Sequence, residues 1–94
     1  MVTKKKLKVS RKKIDIIDGK IFNLIKLRTR VVDQMLKMKK NKKDIIDKKR
    51  MKDIFRKIKR KSISNKIDPR ITHKIWKSMI WSYVDYQKKN FKRK

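Results

Sequence analysis

Four polar residues fall where apolar side chains are due, and together they could hold a small anion. In the first half of the chain Leu7, Ile14, Ile17, Ile21, Leu24, Val31, Met35 and Met38 keep a heptad spacing, and Arg28 takes the place after Leu24. Arg50 stands at the i+4 step between Ile46 and Ile54, on a stripe that continues to Ile58. Gln87 stands among Ile80, Val84 and Phe91. Lys39 follows Arg28 by three helical turns, about 20° away around the axis and roughly 16 Å further along. A charge on a buried stripe is costly unless something pairs with it. Three cations and one neutral amide donor, spread over three apolar stripes, predict an interior site for an anion. Arg11 lies about 100° around the helix from Arg28 and roughly 25 Å away, so it cannot serve the same pocket in the same subunit. In an antiparallel or crossed dimer it could reach the partner's pocket.

The elements that must carry these residues are helical. No alternating strand pattern is present, and one Gly and one Pro punctuate the chain. The first helix is expected from about Val9 to about Lys40, roughly 45 Å long. That length cannot be covered by the rest of so small a chain, so its apolar seam predicts a second copy. Gly19 inside it costs about 1 kcal/mol against Ala, which packing can override. Asn41-Lys42-Lys43-Asp44 breaks the pattern, and Asp44 or Asp47 can cap a second helix running to about Lys61. Ser62 to Lys66 reads as a polar loop. Asp68-Pro69 sets an N-cap and a first helical residue, starting a third helix that runs to about Phe91. The expectation is all-α, one domain over residues 1–94, with 1–7 and 92–94 as flexible basic tails.

Composition narrows the function classes. The chain has no cysteine, hence no disulfide framework and no thiolate metal site, which fits a cytoplasmic location. No run of about 18 apolar residues exists, so no membrane span is expected. The start, MVTKKKLKVSRKK, lacks the apolar block of a secretory signal. The formal net charge is +26, from 34 Lys and Arg against 8 acidic residues. Such a charge points first to nucleic acid. Its spread along the whole chain weakens that reading, and Lys4 to Lys6, Lys39 to Lys43 and Lys88 to Lys94 read as solvated faces. His73, the one histidine, has neither Cys nor paired carboxylates beside it and reads as a surface residue, not a metal ligand. Trp76, Trp81, Tyr83 and Tyr86 could stack on bases, but their place on one helix favours core and dimer packing.

The order Arg11, Ile14-Asp15-x-x-Asp18, Leu24, Arg28, Lys39, Asp47-x-x-Arg50, Trp76-x-x-Met79-Ile80 and Gln87 resembles the all-helical chorismate mutases. Arg28-Thr29-Arg30-Val31-Val32 and Ile75 to Ile80 share the likeness, which covers about Lys8 to Gln87. The resemblance implies an intertwined homodimer whose long first helices pair, with two sites that each take an arginine from the partner. It implies a Claisen rearrangement of chorismate to prephenate, which needs no nucleophile, metal or cofactor. Arg28 and the partner's Arg11 would clamp the two carboxylates, and Lys39 and Gln87 would donate to the ether oxygen. Arg50 would support the carboxylate network and Asp47 would lie at the substrate's hydroxyl end. Met51 stands where that family usually has Glu, and Tyr83 where it often has Ser. These departures bear on hydroxyl recognition and raise the related isochorismate pyruvate lyases as an alternative. A small basic nucleic-acid-binding protein is the alternative from a different class.

Overall fold

The computed structural model describes residues 3–92. Its helices are α1 (Lys4–Met38), α2 (Lys48–Ser64) and α3 (Pro69–Asn90), with a single 3-10 turn at Lys42–Ile45 between the first two. No strand occurs among the described residues. The all-α, three-helix expectation holds. By packing, the chain divides into two units, one up to Asp33 and one from Gln34 onward.

From Lys4 to Asp33 the first unit is helix. α1 begins five residues before the expected start, so Lys4 to Leu7, expected in a flexible tail, are helical. Three lysines crowd the helix N-terminus, where the macrodipole disfavours cations. Thr3 offsets this: its hydroxyl accepts from the Lys6 N–H at 3.2 Å, and its carbonyl accepts from the Leu7 N–H at 3.1 Å. Residues 1 and 2 of that expected tail, and 93 and 94 of the other, lie outside the described residues. The heptad side chains Ile14, Ile17, Ile21, Leu24 and Val31 are exposed within the chain, Leu24 at 65%. Val32 is buried instead. At about 100° per residue, the buried position is one step around the axis from the seam position Val31. α1 therefore carries two apolar faces where the sequence reading found one. Adding a Cβ at Gly19 would meet nothing within 4 Å.

In the second unit Leu36, Ile45 and Val84 form the core, with Ile46, Met51 and Phe91 packed against it. Met35 and Met38, on the heptad seam, are exposed here too. Asp47 caps α2, its Oδ1 accepting from the Arg50 N–H at 3.0 Å. α2 turns Met51, Ile54, Phe55, Ile58 and Ser62 inward. Ser62 was expected in a polar loop, yet it is helical and 3% exposed. Its hydroxyl donates to the Ile58 carbonyl at 2.6 Å and lies 2.7 Å from Thr72 Oγ1, which satisfies the buried oxygen and ties α2 to α3. The helix ends in a Schellman turn: the Ile67 N–H donates to the Ser62 carbonyl at 2.9 Å and the Lys66 N–H to the Ile63 carbonyl at 3.2 Å. Lys66 takes φ 57°, a left-handed position that glycine would occupy without cost. Asp68 caps α3 through the Arg70 N–H at 2.9 Å, and Pro69 opens the helix, as the sequence predicts.

Candidate functional site

One of the expected juxtapositions is formed outright. Lys39, just past the end of α1, donates from Nζ to Gln87 Oε1 of α3 at 2.8 Å, across 48 residues of sequence. Gln87 is 7% exposed and Lys39 is half-buried. The amide is oriented from both ends, because Gln87 Nε2 donates to the Tyr83 carbonyl one turn back at 3.1 Å. A glutamine buried on the stripe of Ile80 and Val84 is thereby satisfied, and its N–H₂ edge is fixed. The ammonium has three donors and the amide nitrogen two. One of each is spent inside the protein, so two Lys39 donors and one Gln87 donor remain for a ligand's oxygen.

Local structure explains why these two residues meet. α1 closes at Met38 with the Lys39 N–H donating to the Leu36 carbonyl at 3.2 Å. The chain then turns through Asn41, whose N–H donates to Asp44 Oδ2 at 3.2 Å, so Ile45 returns into the core beside Leu36 and Val84. Val84 and Gln87 are adjacent on one face of α3, three residues apart. The apolar contact of Leu36 with Val84 thus sets the polar contact of Lys39 with Gln87.

The start of α2 lies on the same cluster. Met51 is half-buried against it, and its thioether is a weak acceptor. One Asp47 oxygen is already engaged by the α2 cap. Arg50 departs from expectation: it is exposed, not on the buried stripe. The reason is that Ile46 precedes the helix, in extended backbone with φ −95° and ψ 109°, so the i+4 count from Ile46 does not carry into α2. Met51, one residue on, takes the inward position. Tyr83 is half-buried, and the contact described for it is made by its backbone carbonyl.

Arg28 and Arg11 belong to the first unit. Arg28 is half-buried, four residues before the buried Val32, and Arg11 is exposed on α1. The aromatic residues of α3 divide: Trp76 and Tyr83 are half-buried, while Trp81 and Tyr86 are exposed. His73 is exposed, with its ring 5.1 Å from that of Phe55. Among the described residues no group of His, Cys, Asp or Glu could hold a metal ion. No helix of the described residues is long and apolar enough to cross a membrane.

Sequence reasoning missed a groove of about 600 Å³ between α2 and α3. Phe55, Ile58 and Pro69 line it together with Arg56, Lys59 and Lys74. The signal was present as an apolar row on α2 facing Thr72 and His73, but which apolar rows stay open depends on packing. The groove does not include Lys39 or Gln87.

No curated protein and no solved structure matches the chain. Residues 10–88, a span that contains Arg11, Arg28, the Lys39–Gln87 pair and the start of α2, match the family model for chorismate mutase type II, and the chain belongs to that family.

Proposed function

We propose that this protein catalyses the Claisen rearrangement of chorismate to prephenate, as a homodimer paired through α1. The observation that carries the reading is the 2.8 Å bond from Lys39 to a buried, doubly anchored Gln87. A unimolecular rearrangement needs a held conformer and stabilisation of the charge that develops on the ether oxygen as the C–O bond breaks. A pair with three remaining donors, preset by apolar packing, supplies the second requirement with little reorganisation. The first falls to Arg28 and Arg11 of the partner subunit, one for each carboxylate, because a guanidinium fork holds a carboxylate at two points. Arg50 adds positive charge at the start of α2. The heptad row left exposed on α1 supports the dimer, since a row of Ile and Leu this long is costly in water.

A second reading has its own observation. Met51 accepts hydrogen bonds weakly, and one oxygen of Asp47 is used in the cap. A ring hydroxyl placed near them is poorly specified, which favours an isochorismate pyruvate lyase activity on the same frame. Purified protein is incubated with chorismate and with isochorismate separately, and products are identified. Prephenate from chorismate supports the first reading; pyruvate and salicylate from isochorismate, with no prephenate, replace it with the second. Arg28→Ala abolishes turnover on the productive substrate, and turnover that survives this change removes Arg28 from the site.

A further inference from the structure

We propose that the outward face of α2 is a binding surface for the phosphate backbone of duplex nucleic acid, separate from the dicarboxylate site. In the sequence the positive charge looks evenly spread, but folding sorts it. Nine of the 17 residues of α2 are Lys or Arg and one is acidic. By contrast α3 carries only Lys77 and Asp85 as charged residues between Ile75 and Tyr86. α2 turns Met51, Ile54, Phe55, Ile58 and Ser62 inward. Lys49, Lys52, Arg56, Lys57 and Arg60 occupy the opposite side of the helix, and all five are exposed. The single acid on that side, Asp53, reaches Arg56 at 3.6 Å and neutralises part of one charge.

The dimensions fit a phosphate backbone. Lys49 to Arg60 spans about 16 Å of helix axis. A duplex presents a phosphate every ~1.7 Å of its axis with both strands counted, so about nine over that length, and about half of them face one side. Five cations, one of them partly neutralised, meet about four or five phosphates drawn from both strands. The chemistry of the face disfavours the other common occupants. A protein interface needs an apolar or aromatic centre, and the apolar groove of Phe55, Ile58 and Pro69 reaches this face at Arg56 alone, at its margin. An interfacial helix lays its apolar side in a lipid surface, and the apolar side of α2 is spent inside the protein. Single strands are held by base stacking, and no aromatic side chain lies on the outward face. The cations at the start of α1 differ again. They point all round the axis and include Arg11, already assigned to substrate, so they form no single face.

Binding of this kind is independent of sequence and steep in salt. Four to five neutralised phosphates give a slope of log K on log salt of about −4 per chain, or roughly 10²-fold weaker binding between about 50 and 200 mM. The test uses the full chain and a fluorescent duplex of mixed sequence, read by anisotropy across that range. Replacing Lys49, Lys52, Arg56, Lys57 and Arg60 together by Gln is expected to weaken binding at least tenfold at the lowest salt and to bring the slope near zero. Lys52→Gln with Arg60→Gln, a smaller change that keeps the proposal testable if the fivefold variant does not fold, is expected to reduce the slope by about 2. A control replaces Lys4, Lys5, Lys6, Lys12 and Lys13 by Gln and is expected to keep most of the slope. The proposal is overturned if the α2 variants bind with the wild-type slope, if the α1 control loses as much, or if anionic vesicles compete the duplex away.

Discussion

Replacing Gln87 by Leu separates a catalytic role from a packing role. Leu has nearly the volume of Gln and suits the surroundings of Ile80 and Val84. The change removes the acceptor of the Lys39 ammonium and the donor to the Tyr83 carbonyl. A hydrogen bond to a charged group contributes about 1.5–3 kcal/mol. Lys39 is only half-buried and can turn its head to water, so the loss falls at the low end. Added apolar burial offsets part of it. A net cost of about 1 kcal/mol lowers Tm by about 4–8 °C in a domain of this size. The effect on turnover is larger. Loss of one preorganised donor at a developing oxyanion costs about 10²–10³-fold in kcat.

The two magnitudes are read on one preparation. Circular dichroism on heating gives Tm, and the loss of the substrate's diene absorbance gives kcat. Lys39→Met and the double variant complete a cycle. If both groups serve one oxygen, the double variant is less impaired than the product of the single effects. A Gln87→Leu protein that keeps more than about a tenth of kcat while its Tm falls would refute the reasoning, since the pair would then be a packing device.

Three further outcomes follow from the fold. Ile17→Asp with Leu24→Asp, both on the exposed row of α1, is expected to shift sedimentation from dimer to monomer and to abolish turnover; an unchanged dimer removes that row from the interface. Lys66→Gly relieves the left-handed φ of 57° and is expected to stabilise by about 0.5–1 kcal/mol, read as a higher Tm. The Arg70 side chain first, and the Arg70 N–H second, hold the Asp68 carboxyl below its ordinary range. Its folded pKa is lower than its unfolded one, so its contribution is present above about pH 4 and is lost as pH falls below that. Asp68→Asn still caps α3 but cannot ionise, so the gap in Tm between wild type and variant is expected to close on acidification.

Much of the site was legible because it sits on regular helix. Ile80, Val84 and Gln87 lie on one face of α3 by spacing alone, and all three are buried as that spacing predicts. The Asp68-Pro69 start of α3 was legible because its chemistry is local. Arg50 was not, because its assignment counted in steps of four through Ile46, which is not helical. Ser62 was misplaced for a related reason. Its polar neighbours read as a loop, while its hydroxyl, bonded one turn back to Ile58, also meets Thr72, ten residues away, a contact no local pattern reveals.

Arg28 itself gains a second meaning from the burial pattern of α1. In heptad steps it follows Leu24 and precedes Val31 and Met35, on the row that stays exposed within the chain. In steps of four it precedes Val32 and Leu36, the two buried positions of α1. It is the residue at which the two rows divide, and it is half-buried. A leucine there would extend both rows and leave no polar group between the exposed row and the buried one. An arginine has the reach to lay its methylenes along apolar ground and deliver a fork several ångströms away. The cation that looks like a flaw in a single stripe is consistent with a position belonging to two. In the dimer proposed above, that is the place from which one side chain answers both to the fold of its own chain and to a ligand completed by a second copy.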